Sequence, residues 1–147
     1  AKKYLSTSNL SIRAQCYISN PYYCSYEEKK RNAQVFHYDC DFKKFFKVFI
    51  YLNDIDELSG PHIFIEKTHK KKFLEHIIAE RFEDEEIFSK YGEMRKRVFT
   101  NKKGSLIIED TFGFHKGEPP KSKTRSMIIF EYGIGKSIVK NDQYLSI

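Results

Sequence analysis

A histidine and an aspartate stand two residues apart, at His37 and Asp39, shortly before the most apolar run of the sequence. In an extended strand, alternate side chains project from the same face. These two would therefore share one face, and the neighbouring rings of Phe36 and Tyr38 would share the other. An imidazole and a carboxylate side by side are two of the three ligands in a 2-His-1-carboxylate metal site. A lone His-x-Asp pair is common by chance, so it indicates such a site only if a second histidine joins it.

His115 is the best candidate for that second histidine. It lies between Gly113 and Gly117 in a short apolar segment, and glycine permits close approach of a backbone or a ligand. The other histidines fall at the edge of a predicted strand or in a predicted helix. We interpret them as surface or packing residues: His62, His69 and His76.

Arg125 opens the next predicted strand, ten residues after His115 and beyond a turn at residues 117–120. A hairpin of this size would bring Arg125 near His115 on the adjacent strand. Arginine is the side chain best suited to bind a carboxylate, through two parallel charge-assisted hydrogen bonds. The alternative is a surface ion pair with a glutamate, which suits the start of a buried strand less well. We therefore expect Arg125 to bind an anionic ligand.

The composition bounds the class of protein. With 147 residues, 40% of them hydrophobic and 31% charged, the chain has the proportions of one soluble globular domain with a real core. Aromatic residues make up 16%, all of them Phe and Tyr, and favour strands. The net charge of +6 is spread over small clusters rather than a basic stripe with stacking aromatics, so we expect no nucleic-acid partner. An acidic small-molecule substrate is compatible with this charge.

The cysteines and the hydropathy indicate a compartment. Cys16, Cys24 and Cys40 are odd in number and lack C-x-x-C spacing, which argues against a disulfide framework or a zinc knuckle. We therefore expect a reducing, cytoplasmic environment. No apolar run approaches the length of a membrane span and no signal peptide is evident, so no membrane partner is expected. The sequence begins at Ala1 rather than a methionine, which fits either a complete domain or part of a longer protein.

The pattern of apolar residues predicts a mainly β protein. Segments rich in aromatic and branched residues and bounded by turn residues are interpreted as strands: residues 10–19, 34–39, 45–52, 62–67, 97–100, 105–110, 112–116 and 125–132. Helical spacing is confined to the middle. Thr68 is a candidate N-cap for a helix over residues 69–82, and a second helix over residues 83–91 ends at Gly92. This order predicts an antiparallel sandwich or barrel with one helical insertion at about residues 69–91.

Together these segments resemble the phytanoyl-CoA dioxygenase-like family over residues 34–132. The matching strings are HYD, then FKVFIYLNDIDELSGPHIFIEKTHK, then GSLIIEDTFGFHKG, followed by Arg125. The resemblance implies a double-stranded β-helix, the jelly-roll or cupin-like fold, forming a single oxygenase domain over residues 1–147. It also implies Fe(II) as the metal and 2-oxoglutarate as the cosubstrate.

Site residues can be carried over one by one from this resemblance. His37, Asp39 and His115 match the iron ligands, and Arg125 matches the residue that holds the distal carboxylate of 2-oxoglutarate. An intact Asp39 favours hydroxylation, because halogenating relatives have a small residue there.

The resemblance also implies further residues that lie near the cosubstrate. Phe49 matches an aromatic residue near 2-oxoglutarate, and Gln34 matches a position seen before the first ligand in bacterial members. Members often use an N-terminal polar residue to bind the cosubstrate, for which Gln15 and Tyr17 are the candidates. The N-terminal helices that usually buttress the sheet are largely absent.

The implied activity is a dioxygenase that uses dioxygen to hydroxylate a small organic molecule and releases succinate and CO2. The helical insertion is a candidate lid, and Tyr38 a candidate wall of the pocket. Two alternatives stay open: a non-catalytic cupin-like module that binds a metal or another ligand, and a jelly-roll interaction domain without a metal. The substrate and the oligomeric state stay open as well.

Overall fold

Runs of aromatic and β-branched residues form the strands of this protein, whose computed structural model describes residues 1–78, 81–138 and 145–146. The strands are β1 (Ser11–Ser19), β2 (Phe45–Tyr51), β3 (His62–Ile65), β4 (Lys96–Phe99), β5 (Leu106–Glu109), β6 (His115–Gly117), β7 (Arg125–Gly133) and β8 (Leu145–Ser146). The helices are short: α1 (Lys2–Leu5), α2 (Tyr26–Arg31), α3 (Glu75–Ile78) and α4 (Asp84–Tyr91). None of the helices in the described part of the chain is long and apolar enough to cross a membrane.

Two antiparallel sheets make up the architecture. The larger sheet has five strands in the order β5-β2-β7-β1-β8, and the smaller has three in the order β4-β3-β6. Except for β3 and β4, which pair directly, strands that follow one another in sequence are separated in the sheets, which is typical of a jelly roll. The mainly β, double-stranded β-helix fold with a short helical insertion is confirmed.

The apolar core is divided between two places. One cluster lies between the sheets and consists of Phe49, Tyr51, Ile55, Ile107 and Met127. The second, called the outer cluster below, joins β3 to the helical insertion and consists of Phe36, Ile63, Ile65, Phe82, Ile87, Tyr91 and Phe114. Because β3 alternates, its isoleucines enter the outer cluster while His62 points between the sheets, towards Phe49. The space between the sheets is therefore shared by apolar and polar groups.

Two sequence-based element predictions were wrong. Residues 34–39 form no continuous strand; they make two isolated bridges, Phe36 to Phe82 and His37 to His115. The helix expected over residues 69–82 is reduced to α3, with turns before it and with residues 79–80 outside the described chain. The amide of Phe82 donates to the carbonyl of Phe36 at 2.9 Å, so the last residue of the expected helix pairs with a distant segment instead of continuing the helix. By contrast, α4 ends at Gly92 as expected, with a φ of 83° that favours glycine.

Replacing Phe114 by alanine tests the outer cluster. Phe114 is 0% exposed and packs edge-on against Phe82, with ring centroids 5.1 Å apart. We expect the free energy of unfolding to fall by about 3–5 kcal/mol, because the ring leaves a cavity. Ile108→Ala is the control: Ile108 is 72% exposed, and its loss should cost less than about 0.5 kcal/mol. Urea unfolding measures both, and equal losses would contradict this description of the core.

Candidate metal centre

His37 and His115 are brought together by backbone pairing between distant parts of the chain. The amide of each residue donates to the carbonyl of the other, at 3.0 and 2.9 Å. Their rings consequently lie 4.3 Å apart. Asp39 is held in the same way, because its amide donates to the carbonyl of Thr111 at 2.9 Å. Main-chain hydrogen bonds therefore position all three candidate ligands.

The side chains of His37, Asp39 and His115 converge on one point. Asp39 Oδ2 lies 3.4 Å from His115 Nε2, and Asp39 Oδ1 lies 4.0 Å from His37 Nε2. One potential ligand atom from each residue falls within 4.8 Å of the others. Ligand atoms that share one ion through bonds of about 2.1 Å lie about 3 Å apart, so small side-chain rotations would close the site.

Both imidazoles are oriented by their own backbone. His37 Nδ1 donates to the carbonyl of Val35, and His115 Nδ1 donates to the carbonyl of Gly113, each at 3.0 Å. A carbonyl can only accept, so the proton of the neutral ring lies on Nδ1 and the lone pair lies on Nε2, which faces Asp39. Metal-binding histidines are oriented by this kind of hydrogen bond at the second nitrogen. The donor set thus fits a divalent transition metal.

The electrostatics of the three groups are linked. Burial, followed by the charge of His115, lowers the pKa of His37 to about 3, so His37 is neutral. Burial also opposes the charge of His115, but the Asp39 carboxylate raises the pKa of that ring. Although burial works against it, the nearby His115 and Lys47 hold the pKa of Asp39 well below its usual value. A divalent ion among these atoms would replace the His115 proton as a positive partner of Asp39.

A row of alternating charges crosses the larger sheet beneath these ligands. The strand register places Lys47 opposite Glu109 and opposite Glu131, and places Arg13 opposite Glu131. Opposite charges that face each other across strands attract. We call this row, Glu109–Lys47–Glu131–Arg13, the charge ladder. Its members are largely buried, with side-chain exposures between 2% and 14%.

The charge ladder contacts two of the three candidate ligands. Lys47 Nζ lies 2.8 Å from Asp39 Oδ2, and the Asp39 and Glu131 carboxylates raise the pKa of this buried ammonium despite its desolvation. Glu109 Oε1 lies 3.8 Å from His115 Nδ1. Burial raises the pKa of Glu131 to about 7, because the charged form of a carboxylate is disfavoured at this depth.

His62 belongs to the same network, and sequence reasoning missed it. It is 3% exposed, and its Nε2 lies 2.9 Å from Glu109 Oε2. Its ring lies 4.5 Å from Phe49, between the two sheets. Sequence reasoning missed Lys47 too, although a signal was present. Lys47 lies inside an apolar run that was predicted to be buried on both faces, and a lysine buried there requires a charged partner.

A cavity of about 520 Å³ opens onto the candidate ligands. Its lining includes every predicted site residue, namely His37, Asp39, His115, Gln34, Phe49 and Arg125, together with the two N-terminal candidates, Gln15 and Tyr17. Gln34 is buried, and its side-chain oxygen accepts from the Cys24 thiol at 3.4 Å. The structure therefore brings the whole predicted set into one cavity.

The expected pocket wall and lid are placed differently. Tyr38 points away from the cavity and packs edge-on against Phe112 and Phe114, at 5.5 and 5.7 Å. Its hydroxyl donates to the carbonyl of Ile77 at 2.8 Å. Of the described residues of the insertion, only Arg81 lines the cavity. The insertion mainly covers the outer cluster, because its apolar side chains are used there.

Arg125 is a buried residue of the cavity lining. Its guanidinium donates hydrogen bonds to the carbonyl oxygens of Gly60 and Glu118 and to the Ser19 hydroxyl. A Cβ atom on Gly117 would lie 2.5 Å from a guanidinium nitrogen, so glycine is needed for this close approach. The position of the Arg125 guanidinium is thus defined by hydrogen bonds to several neutral acceptors.

Arg125 reaches the cavity from the larger sheet, so the expected hairpin with His115 is wrong. The strand that carries His115, β6, pairs with β3, whereas β7 pairs with β1 and β2. The connection contains Pro119 and Pro120, which lack amide donors and cannot continue a ladder. The chain therefore crosses from one sheet to the other between these strands.

Known structures share this fold at low sequence identity. SnoK, a non-heme alpha-ketoglutarate-dependent carbocyclase from nogalamycin biosynthesis, matches with a TM-score of 0.62 and 15% identity, over 84% of this chain and 50% of that chain. EvdO2 from Micromonospora carbonacea var. aurantiaca, complexed with 2-oxoglutarate, matches with a TM-score of 0.66 and 13% identity, over 90% of this chain and 56% of that chain. HygX from Streptomyces hygroscopicus, with iron bound, matches with a TM-score of 0.53 and 12% identity, over 83% of this chain and 58% of that chain.

These likenesses concern the fold. The chain spans 50–58% of the length of these three structures, so it corresponds to little more than half of each. No protein-family model and no curated protein matches the sequence. The shared architecture shows that this chain has the same jelly-roll fold as these structures.

Alanine at His115 tests the metal centre. Changes in groups that merely orient a ligand cost about 10–100-fold in metal affinity, so loss of a ligand should cost about 100-fold or more. His69→Gln is the matched control, because His69 lies outside the converging group and faces the Phe64 ring at 6.2 Å. Calorimetric titration with Zn(II) measures both variants. Tight zinc binding by the His115→Ala protein would show that the metal binds elsewhere.

Methionine at Lys47 tests the charge ladder. The change keeps much of the side-chain volume but leaves Asp39, Asp41 and Glu131 without their shared ammonium. We expect the free energy of unfolding to fall by about 3–5 kcal/mol, the usual cost of breaking a buried ion pair from one side. Lys102→Met is the control and should have little effect, because Lys102 is 86% exposed. Denaturant unfolding without added metal is the measurement, and unchanged stability would contradict a structural role for Lys47.

Proposed function

We propose that this chain forms the core of an Fe(II)- and 2-oxoglutarate-dependent dioxygenase. The reaction would hydroxylate a small organic molecule, consume dioxygen and release succinate and CO2. The observation that carries the proposal is the convergence of His37, Asp39 and His115 in the cavity that also holds Arg125. Fold likeness to proteins described with iron or with 2-oxoglutarate supports it. We further propose that the chain is one oxygenase domain of the phytanoyl-CoA dioxygenase-like family.

Each protein group has a defined task in this proposal. His37 and His115 would bind the metal through Nε2, because their Nδ1 atoms are engaged with backbone carbonyls. Asp39 would bind through its carboxylate, which Lys47 holds in place. A bound Fe(II) with 2-oxoglutarate supplies the oxidising chemistry for substrate hydroxylation. The protein orients the reactants and surrounds them with a largely buried wall.

Arg125 would hold the distal carboxylate of 2-oxoglutarate. It is 5% exposed, and its hydrogen-bond acceptors are neutral. The carboxylate of Glu118, the nearest acidic residue in sequence, pairs with Lys116 at 2.8 Å. Arginine does not lose its proton in proteins, and a buried guanidinium is stabilised by an anion. The cosubstrate would provide that anion.

The remaining cosubstrate contacts are proposed from the cavity lining. Phe49 lines the same cavity as Arg125 and the candidate metal ligands, and would cover the carbon chain of 2-oxoglutarate. Gln34 would contribute an amide near the ligands, since its oxygen already accepts from Cys24.

An anaerobic titration tests the function. We expect Fe(II) and 2-oxoglutarate together to produce the weak metal-to-ligand charge-transfer band of this class of centre, and Asp39→Ala to abolish it. Oxygen uptake coupled to succinate formation should follow when air is admitted. A folded protein without the band would refute the proposal. Metal and ligand binding without any succinate would instead favour a non-catalytic, cupin-like module.

Glutamine at Arg125 tests the anchoring role. Hydrogen bonds to charged groups contribute about 1.5–3 kcal/mol, so we expect 2-oxoglutarate affinity to fall by about 10–100-fold. The control is Arg97→Gln, because Arg97 lies on β4 and pairs at the surface with Glu66 at 2.8 Å. Calorimetry on zinc-loaded protein measures the affinity without turnover. Unchanged affinity in the Arg125 variant would place the cosubstrate elsewhere.

A further inference from the structure

Arg81 lines the same cavity as the candidate ligands and has no task in the proposed function. Arg125 is assigned to the cosubstrate, and Lys47 and Arg13 belong to the charge ladder, where Arg13 lies 2.6 Å from Glu131. Arg81 adds a positive charge to the cavity lining beside His37.

Backbone pairing places Arg81 beside His37. Phe36 and Phe82 form an antiparallel bridge, in which the Phe82 amide donates to the Phe36 carbonyl at 2.9 Å. In an antiparallel pair, the residue after one partner lies opposite the residue before the other, so Arg81 faces His37. His37 thus has Arg81 on one side and His115 on the other.

Alternation directs the Arg81 side chain into the cavity. Phe36 and Phe82 are both buried in the outer cluster, at 0% and 2% exposure. Their neighbours His37 and Arg81 must then project from the opposite face, which is the cavity face. Arg81 and His37 accordingly both line the cavity.

We propose that Arg81 binds an anionic group of the substrate, a carboxylate or a phosphate, next to the metal centre. The substrate class is then a small organic acid or phosphate ester, oxidised at a carbon close to its anionic group. A guanidinium matches either group through paired hydrogen bonds. The identification of this ligand as a substrate rests on the proposed dioxygenase function. The binding of a second anion in the cavity does not depend on that function.

The outer part of the cavity suits such a ligand. Arg31, the last residue of α2, is exposed and adds a further cation to the cavity lining. Tyr17 and Tyr22 line the same region and are 45% and 50% exposed. Tyrosine rings offer apolar area together with a hydroxyl. An acid with an apolar or aromatic body would therefore be matched along its length.

A binding experiment with paired probes tests this proposal independently of turnover. The probes are phenylacetate and phenyl phosphate, with neutral phenylacetamide as the matched control. They are titrated by NMR into zinc-loaded protein, with and without saturating 2-oxoglutarate. We expect both anions to bind at least tenfold more tightly than the amide. Arg81→Met should remove this preference, Arg81→Lys should retain part of it, and the surface variant Arg97→Met should retain all of it.

Several results would overturn the proposal. They are the absence of any anion-dependent shift, equal affinity for acid and amide, and an anion preference that survives in Arg81→Met. Loss of 2-oxoglutarate affinity in Arg81→Met as large as that in Arg125→Gln would also overturn it, because Arg81 would then serve the cosubstrate. A protein that shows the preference but forms no succinate would instead refute the dioxygenase function and keep the anion site.

Discussion

Compensation of buried charge is the constraint on which this structure depends. The charge ladder, Glu109–Lys47–Glu131–Arg13, lies between the sheets with little exposure. An uncompensated charge at that depth costs several kcal/mol, so Lys47 and Arg13 pair with Glu131 on the strand between them, and Glu109 pairs with His62. A slip of one residue between strands would turn these side chains to the other face. The ladder therefore specifies the register of β5, β2, β7 and β1.

The same constraint links the sheet to the candidate metal centre. Lys47 is shared between the ladder and Asp39, and Glu109 reaches both His62 and His115. The candidate ligands are thus held in place by ion pairs to the larger sheet and by main-chain hydrogen bonds. Arg125 is a further buried cation of the cavity, and its observed acceptors are neutral. In the proposed function, the dianionic cosubstrate would compensate this charge.

Local pattern predicted the strands that carry their own apolar signal. β1, β2 and β7 begin and end within one residue of the expected positions, because aromatic and branched runs report burial directly. The expected helix over residues 69–82 failed for a tertiary reason. Phe82 pairs with Phe36, and the buried His76 ring packs against Phe114 at 5.7 Å, which periodicity alone could not reveal. The hairpin failed likewise, since the choice of sheet depends on distant strands.

The sequence by itself determined the types and order of the candidate ligands, His37, Asp39 and His115, and of the candidate anchor Arg125, because their chemistry is a property of the residues. Only the tertiary structure decided how they meet. Pairing of His37 with His115 is a contact between distant segments, and the partnership of Lys47 with Asp39 depends on strand register. The same holds for Arg81, which the Phe36–Phe82 bridge places beside the metal centre. Such placements arise from long-range pairing, which local sequence does not encode.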